Sequence, residues 1–329
     1  MKPFSYAAPR HEREVVELLG SRWGTSEILA GGTDLVGLMK KMIVTPERVI
    51  NVMEVASMRG VEANSFGATI GAATNLDDIL ADPQLDAYSA LKQAIQGINS
   101  MQMQAQSTLG GELCQRPRCW YFRNGHGLLA RGGELPSMGE NRYHAIFDNA
   151  GPAKFVSPSR IAPALIALEA RLRIIGPGEE DETLMPVEFF YRTPLNDQQR
   201  EYALEPNQLV THVMLPAAEG VSSATYEVRH GEGADAPLAA AAARLNLVDG
   251  LVQDAKIVLG HVAPTPRVAM EAALALYGKP VTRDTARRAA ELAVAGATPL
   301  SDNRYKVQLA RVSVERAILK AAGQPVGGF

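Results

Sequence analysis

Two Gly-Gly pairs and one pair of cysteines are the residue groups in this chain with the types and spacing for chemistry. In "LAGGTDL", residues 29–35, Gly31 and Gly32 follow the short apolar run 28–30. They precede Leu35, Leu38, Met39 and Met42, which recur at the spacing of a helix stripe. A Gly-Gly opening a helix presents backbone N–H groups at the positive end of the helix dipole, a geometry suited to a phosphate. Glycine also lets a ligand approach the backbone closely. The alternative is a plain tight turn, because the segment lacks both the G-x-G-x-x-G spacing and a P-loop lysine. "TLGGEL", residues 108–113, is a second Gly-Gly loop. Two such loops suggest a dinucleotide gripped from two sides, against the alternative of two unrelated turns.

Cys114 and Cys119 follow directly. Iron–sulfur centres normally take four thiolates, and pairing the two with His126 or His144 matches no standard zinc spacing. Ordinary reduced thiols are therefore expected, with no metal ligands. His11, His212, His230 and His261 are scattered and form no triad or H-E-x-x-H pattern, so no residue is assigned a catalytic role. "QRPRCWYFR" mixes Arg116, Arg118 and Arg123 with Trp120, Tyr121 and Phe122. That composition suits a protein interface, single-stranded nucleic acid or a locally packed loop.

The elements that position these loops are read from periodicity and turn residues. Residues 10–20 read as a short helix stopped by Gly20, 28–30 as a buried strand and "RVINV" as another, together a small α/β unit. "FGATIGAATNLDDIL" reads as strand, turn and a helix capped by Thr74 or Asn75. "AYSALKQAIQGI" reads as helix, "QSTLGGEL" as extended, and 116–151 as a long, partly ordered loop of the kind that tends to be functional. A helix over 163–170 leads to a strand at 171–175, residues 177–207 are loop-rich, and "QLVTHVMLP" is a strand. A domain boundary is placed near 217–223. Beyond it "ATYEVRH", "APLAAAAARLNLV" and "AKIVLGHV" read as strands, and three helical stretches close the chain.

At 329 residues the chain suggests about two domains. It is 46% hydrophobic and 21% charged, with a formal net charge of -3. That balance fits a globular protein and argues against a general nucleic-acid binder. No apolar run approaches a membrane span, the start shows no signal-peptide h-region, and two cysteines make no disulfide framework. A cytoplasmic enzyme or enzyme subunit is expected, without membrane insertion.

In combination "LAGGTDL", "IGAATNL", "TLGGELCQRPRCWYFR", "SPSRIAPALIALEA" and "YEVRH" resemble the FAD-binding medium subunit of the xanthine dehydrogenase and carbon monoxide dehydrogenase family of molybdenum hydroxylases. Their order and spacing match over essentially the whole chain. The resemblance implies an α+β fold. A two-part FAD-binding domain of the PCMH/vanillyl-alcohol-oxidase-like type would span 1–217, as a small α/β lobe over about 1–55 and a larger α+β lobe over about 56–217. A C-terminal domain over 222–325 would carry a small antiparallel sheet and a helical bundle. It implies an electron-transfer subunit that passes electrons from [2Fe-2S] clusters on a small partner subunit, through FAD, to an acceptor such as NAD or a quinone. Hydroxylation would take place at a molybdenum cofactor on a large partner subunit. Carried over by position, Leu29, Ala30, Gly31, Gly32, Thr33, Asp34 and Leu35 would wrap the FAD pyrophosphate, with Ala73 and Thr74 assisting. Thr108, Gly110 and Gly111 would close the second side, with Glu112 beside them and Leu113 near the flavin ring. Ser157 and Leu209 would sit close to the cofactor, and Arg229 matches a family arginine.

The chain departs from the family at one loop. Where the family reads Arg-Asn-x-x-Thr-x-Gly-Gly-Asn, this sequence has Gln104, Ala105 and Glu112 at the Arg and the two Asn positions, and Arg160 follows Ser159 where relatives have Asp. A carboxylate beside the phosphates would repel them by about 4 kcal/mol at 4 Å and an effective dielectric near 20, unless Arg160 offsets it or Glu112 faces solvent. These departures give the alternative reading, a flavin-free structural or assembly subunit of the same complex. Some relatives carry a [4Fe-4S] cluster in the loop that holds Cys119. Here the three further cysteines are missing.

Overall fold

The computed structural model describes residues 1–178, 180–231, 233 and 235–326. The first lobe is built on β1 (Ser5–Ala7), α1 (Glu12–Leu18), β2 (Ser26–Leu29), α2 (Leu35–Lys40) and β3 (Arg48–Asn51). Its three strands run parallel in the order β1-β3-β2. β2 leads straight into the Gly31–Gly32 loop and α2, because Gly32 at φ +71° takes a backbone turn that a side chain disfavours. α2 stops at Lys40, short of the expected stripe. Met42 has a left-handed φ of +61° and is exposed.

The second lobe begins with β4 (Val61–Asn64), β5 (Gly67–Gly71), α3 (Leu76–Ala81), α4 (Ser89–Gln96), α5 (Met101–Gln106) and α6 (Leu109–Leu113). It continues through α7 (Trp120–Arg123), α8 (Glu134–Met138), α9 (Ala162–Ala167), β6 (Arg171–Ile175), β7 (Glu182–Pro186), α10 (Val187–Phe190) and β8 (Leu209–Pro216). Its sheet is antiparallel in the order β4-β5-β8-β6-β7. Side chains of β5, β6 and β8 such as Ile70, Leu172 and Val213 are fully buried, packed with α3, α4 and α9 in one core.

Three local expectations are corrected here. "TLGGEL" is helical, not extended: Thr108 Oγ1 accepts the Gly111 N–H at 3.2 Å, a side-chain cap that starts α6. Neither Thr74 nor Asn75 caps α3 with its side chain. Thr74 Oγ1 accepts from Gly60 N at 2.9 Å, and Asn75 Nδ2 donates to Ala105 O at 2.7 Å, so tertiary partners outbid the local cap. The loop-rich stretch 177–207 carries β7 and α10, whose short lengths and prolines hid them.

The 116–151 stretch holds α7 and α8 and is anchored by a small core of its own. Phe122, Leu128, Leu129 and Phe155 pack there with Leu38 of α2.

The last part is β9 (Val221–Val228), β10 (Ala239–Val248), β11 (Leu251–Gly260), β12 (Arg267–Val268), α11 (Met270–Leu276), α12 (Arg283–Val294) and α13 (Tyr305–Ala321). The four strands form an antiparallel sheet in the order β12-β11-β10-β9. Asp249 and Gly250, at φ +50° and +78°, make the tight β10–β11 turn, the pairing that suits the twist of a hairpin. β10 is extended despite its alanines. Ala239, Ala241 and Ala243 face the core shared with α12 and α13, while Ala242 joins the core of the second lobe. A chain with both faces buried accepts small side chains wherever a neighbour stands close.

Candidate cofactor-binding site

A cleft of about 1120 Å³, open to solvent, lies between the first lobe and the second. Of the residues expected at a cofactor, Ala30, Gly31, Gly32, Thr33, Asp34 and Leu35 line one wall, Thr108, Gly110 and Gly111 the opposite wall, and Leu209 the floor. The two Gly-Gly loops do different work. Among the described residues no acceptor takes the backbone N–H groups of Gly31, Gly32, Thr33, Asp34 or Leu35. Five successive amides leading into α2 are thus without a protein acceptor, and such a row can hold an anion. In the second loop Leu109 N donates to Thr74 O at 3.0 Å, Gly110 N to Ala72 O at 2.8 Å and Glu112 N to Thr108 O at 2.8 Å. That loop supplies shape instead: a Cβ on Gly110 would stand 2.9 Å from the Ala72 methyl.

The two walls also touch. A Cβ on Gly31 would fall 1.7 Å from Gln106 O, Gln106 Nε2 donates to Gly31 O at 3.0 Å, and Ser107 Oγ donates to Thr33 Oγ1 at 3.2 Å. Gly31 is therefore required by the chain's own packing. The side chain of Asp34 is turned to the 116–123 segment, accepting from Arg116 N at 2.9 Å and Arg123 Nη2 at 2.7 Å. Its charge is neutralised there, which leaves the amide row free of a competing carboxylate.

Sequence reasoning missed the rest of the lining. Trp23 meets Tyr202 edge-on at 6.0 Å, and the Arg200 guanidinium lies 4.7 Å over the Trp23 ring while pairing with Glu27 at 2.9 Å. Arg116 pairs with Glu201 and sits 5.0 Å over Phe122. Burial pushes the carboxyl of Glu27 up, and that of Glu201 up to about 7, against their arginines. Arg116 stood in a visible Arg–aromatic run. Trp23 and Tyr202 lie far apart in sequence and carried no signal.

Other expected residues stand outside the cleft lining. Leu29 ends β2 just before it. Ala73 and Leu113 are core, and Thr74 is held by Gly60. Ser157 is buried, its N–H bonded to Ala263 O at 2.9 Å. Arg229 donates to Gly97 O at 3.2 Å and pairs with Glu227 at 3.3 Å. Glu112 neither faces solvent nor lines the cleft. It is 5% exposed, accepts Arg160 N at 2.9 Å and meets Gln115 Nε2. Burial pushes its carboxyl up to about 7, partly opposed by the Arg160 N–H. Arg160 answers it through this backbone N–H and at longer range, while its guanidinium pairs with Glu227 at 3.6 Å. Gln104 caps the end of α4, donating to Ile98 O at 2.8 Å.

Cys114 lines the cleft, and burial pushes its thiol up to about 12. Cys119 lies elsewhere, with Sγ 3.2 Å from His144 Nε2. Among the described residues no group of three or more His, Cys, Asp or Glu is placed to hold a metal.

Two family models match the chain: the FAD binding domain in molybdopterin dehydrogenase over residues 2–218, and the CO dehydrogenase flavoprotein C-terminal domain over residues 224–321. The aldehyde oxidoreductase FAD-binding subunit PaoB of Escherichia coli is 28% identical, covering 98% of this chain and 100% of its own. The carbon monoxide dehydrogenase medium chain of Hydrogenophaga pseudoflava is 26% identical, covering 96% of each. The solved structure of carbon monoxide dehydrogenase from that organism superimposes with a TM-score of 0.77 at 26% identity, over 98% of this chain and 99% of that one. Quinoline 2-oxidoreductase from Pseudomonas putida 86, at 24% identity and a TM-score of 0.75, shares the fold. The chain belongs to the FAD-binding medium subunits of the molybdopterin dehydrogenases, FAD-dependent oxidoreductase subunits of the carbon monoxide dehydrogenase type.

Proposed function

We propose that this chain is the electron-transfer flavoprotein subunit of a three-subunit molybdenum hydroxylase, with FAD in the cleft between its lobes. The observation that carries the reading is the row of unengaged amides from Gly31 to Leu35, at the end of a strand and the start of a helix. Those amides hold the pyrophosphate. Leu209, Val52 and Leu38 form an apolar wall that keeps water from the ring system. Thr108, Gly110 and Gly111 fix the width of the opposite side. Arg116 lines the cleft paired with the buried carboxyl of Glu201, and Arg200 stands over Trp23 paired with Glu27. When bound, FAD supplies the redox chemistry, and the chain supplies binding, orientation and electrostatics.

The partners on this reading are a small [2Fe-2S] subunit and a large molybdenum-cofactor subunit, in the cytoplasm, and the acceptor is NAD or a quinone. The working division is a FAD-binding domain over 1–217 and a C-terminal domain over 222–325. Among the described residues no helix is long and apolar enough to cross a membrane.

The test is the visible spectrum of the purified chain, with the released cofactor identified after denaturation. A two-banded flavin spectrum and one FAD per chain support the reading. A protein that stays colourless after FAD is added overturns it and favours a flavin-free assembly subunit.

A further inference from the structure

A second cavity, open to solvent, lies between the 116–158 segment and the C-terminal sheet with α13, apart from the first cleft. Its apolar wall includes Trp120, Phe155 and Leu238. Its polar lining is unusual in charge. Arg118 donates to Gln115 Oε1 at 2.8 Å, and Lys306 donates to the carbonyls of Tyr143, His144 and His261 at 3.2, 3.0 and 2.8 Å. Among the described residues neither cation has a carboxylate within ion-pair distance. Those three carbonyls take all three donors of Lys306, and burial pushes it down to about 7, so it brings part of a positive charge to the cavity and no free donor. Among the described residues Asp235 is the opposing carboxylate in the lining.

His261 is the second observation. It lines this cavity, is 2% exposed, and its Nε2 has no hydrogen-bond partner. Its backbone is held at φ +61°, an uncommon conformation for a residue with a side chain. Burial, with Arg160, Lys306 and Arg118 nearby, pushes the ring well below its ordinary pKa and keeps it neutral. A buried polar atom without a partner calls for an explanation, and an acceptor ligand supplies one.

We propose that this cavity binds a small organic anion, a carboxylate carried on an apolar or aromatic body. The carboxylate sits toward His261 and Arg118, and the body against Trp120 and Phe155. Arg118, which has no carboxylate within ion-pair distance among the described residues, favours the charge, the unpartnered His261 Nε2 offers the contact, and the apolar wall favours the rest of the molecule.

The test titrates the full chain, labelled at histidine with ¹³C and ¹⁵N, with sodium benzoate and separately with benzyl alcohol. Benzoate is expected to move the His261 ring signals saturably, in the millimolar range and below, and to raise the ring's pKa. Benzyl alcohol is expected to leave them in place. Arg118→Gln, at an exposed position that leaves the fold intact, weakens benzoate by roughly tenfold. His261 signals that do not move, that respond equally to the alcohol, or that titrate identically in Arg118→Gln overturn the proposal. So does a benzoate response confined to the flavin spectrum, which places the ligand in the first cleft.

Discussion

At the scale of the residue, Glu112 shows how a sequence departure is absorbed. Its carboxyl lies in the core beside Arg160 N and Gln115, away from the amide row. Unfolded, the group titrates near 4.5; folded, near 7. Between those values the folded chain holds the extra proton. This contribution is fully favourable below pH 4.5 and is lost as pH rises through 7, for a total of about 3 kcal/mol. Glu112→Gln keeps an acceptor for the Arg160 N–H and removes the titration. It is expected to raise the unfolding midpoint at pH 8, with the gain vanishing toward pH 5. Equal midpoints at pH 8 would show Glu112 ionised at no cost in the fold. The exchange of Asn for Glu was legible in the sequence, but its location was not. α6 turns that side chain toward Arg160, and only the helix tells which way it points.

At the scale of the element, the strand–loop–helix unit from β2 to α2 was readable because apolar spacing and Gly-Gly agree. The second Gly-Gly was misread as extended, because a five-residue helix has too few turns to show a period. What joins the two is the contact of Gly31 with Gln106 at the end of α5. Gly31→Ala puts a methyl into a backbone carbonyl, so it is expected to destabilise the flavin-free protein itself by about 1–3 kcal/mol, as well as lower FAD content. Denaturant unfolding of the stripped protein checks this: an unchanged midpoint would assign the glycine to the ligand alone. The aromatic and arginine wall at Trp23, Arg200 and Tyr202 was invisible in sequence, since no local pattern links residues on separate lobes.

At the scale of the whole molecule, the pH response has opposing parts. Between about pH 4.5 and 7 the raised carboxyls of Glu112 and Glu201 lower stability as pH rises, while the depressed imidazoles of His144 and His261 raise it. Above that window Lys306 stands apart. Burial pushes it down from 10.5 to about 7, so the unfolded chain binds the extra proton between those values and stability rises with pH. Lys306→Met is expected to flatten that rise and to cost about 2–4 kcal/mol at pH 7 by leaving buried carbonyls without a donor. Unfolding curves at pH 7 and near pH 9 measure both effects; a slope that survives the substitution would assign it to other groups.

Lys306 also matters for how α13 is seated. The helix lies on β10 over Ala239, Ala241 and Ala243, and meets them with Ala310, Val314 and Ala317. Methyl groups on both sides give low ridges and shallow grooves, a surface with little to stop a helix from sliding. The bolts are polar: at its start Lys306 Nζ on three carbonyls and Asn303 Nδ2 on His144 O and Ala145 O at 3.1 and 3.2 Å, and further along Ser313 Oγ on Ala239 O at 3.4 Å, Arg316 on the Tyr226 hydroxyl and Lys320 Nζ on Thr225 O at 3.3 Å. The alanine strand lets the helix come close, and the polar side chains from its start to its end decide where along the sheet it comes to rest.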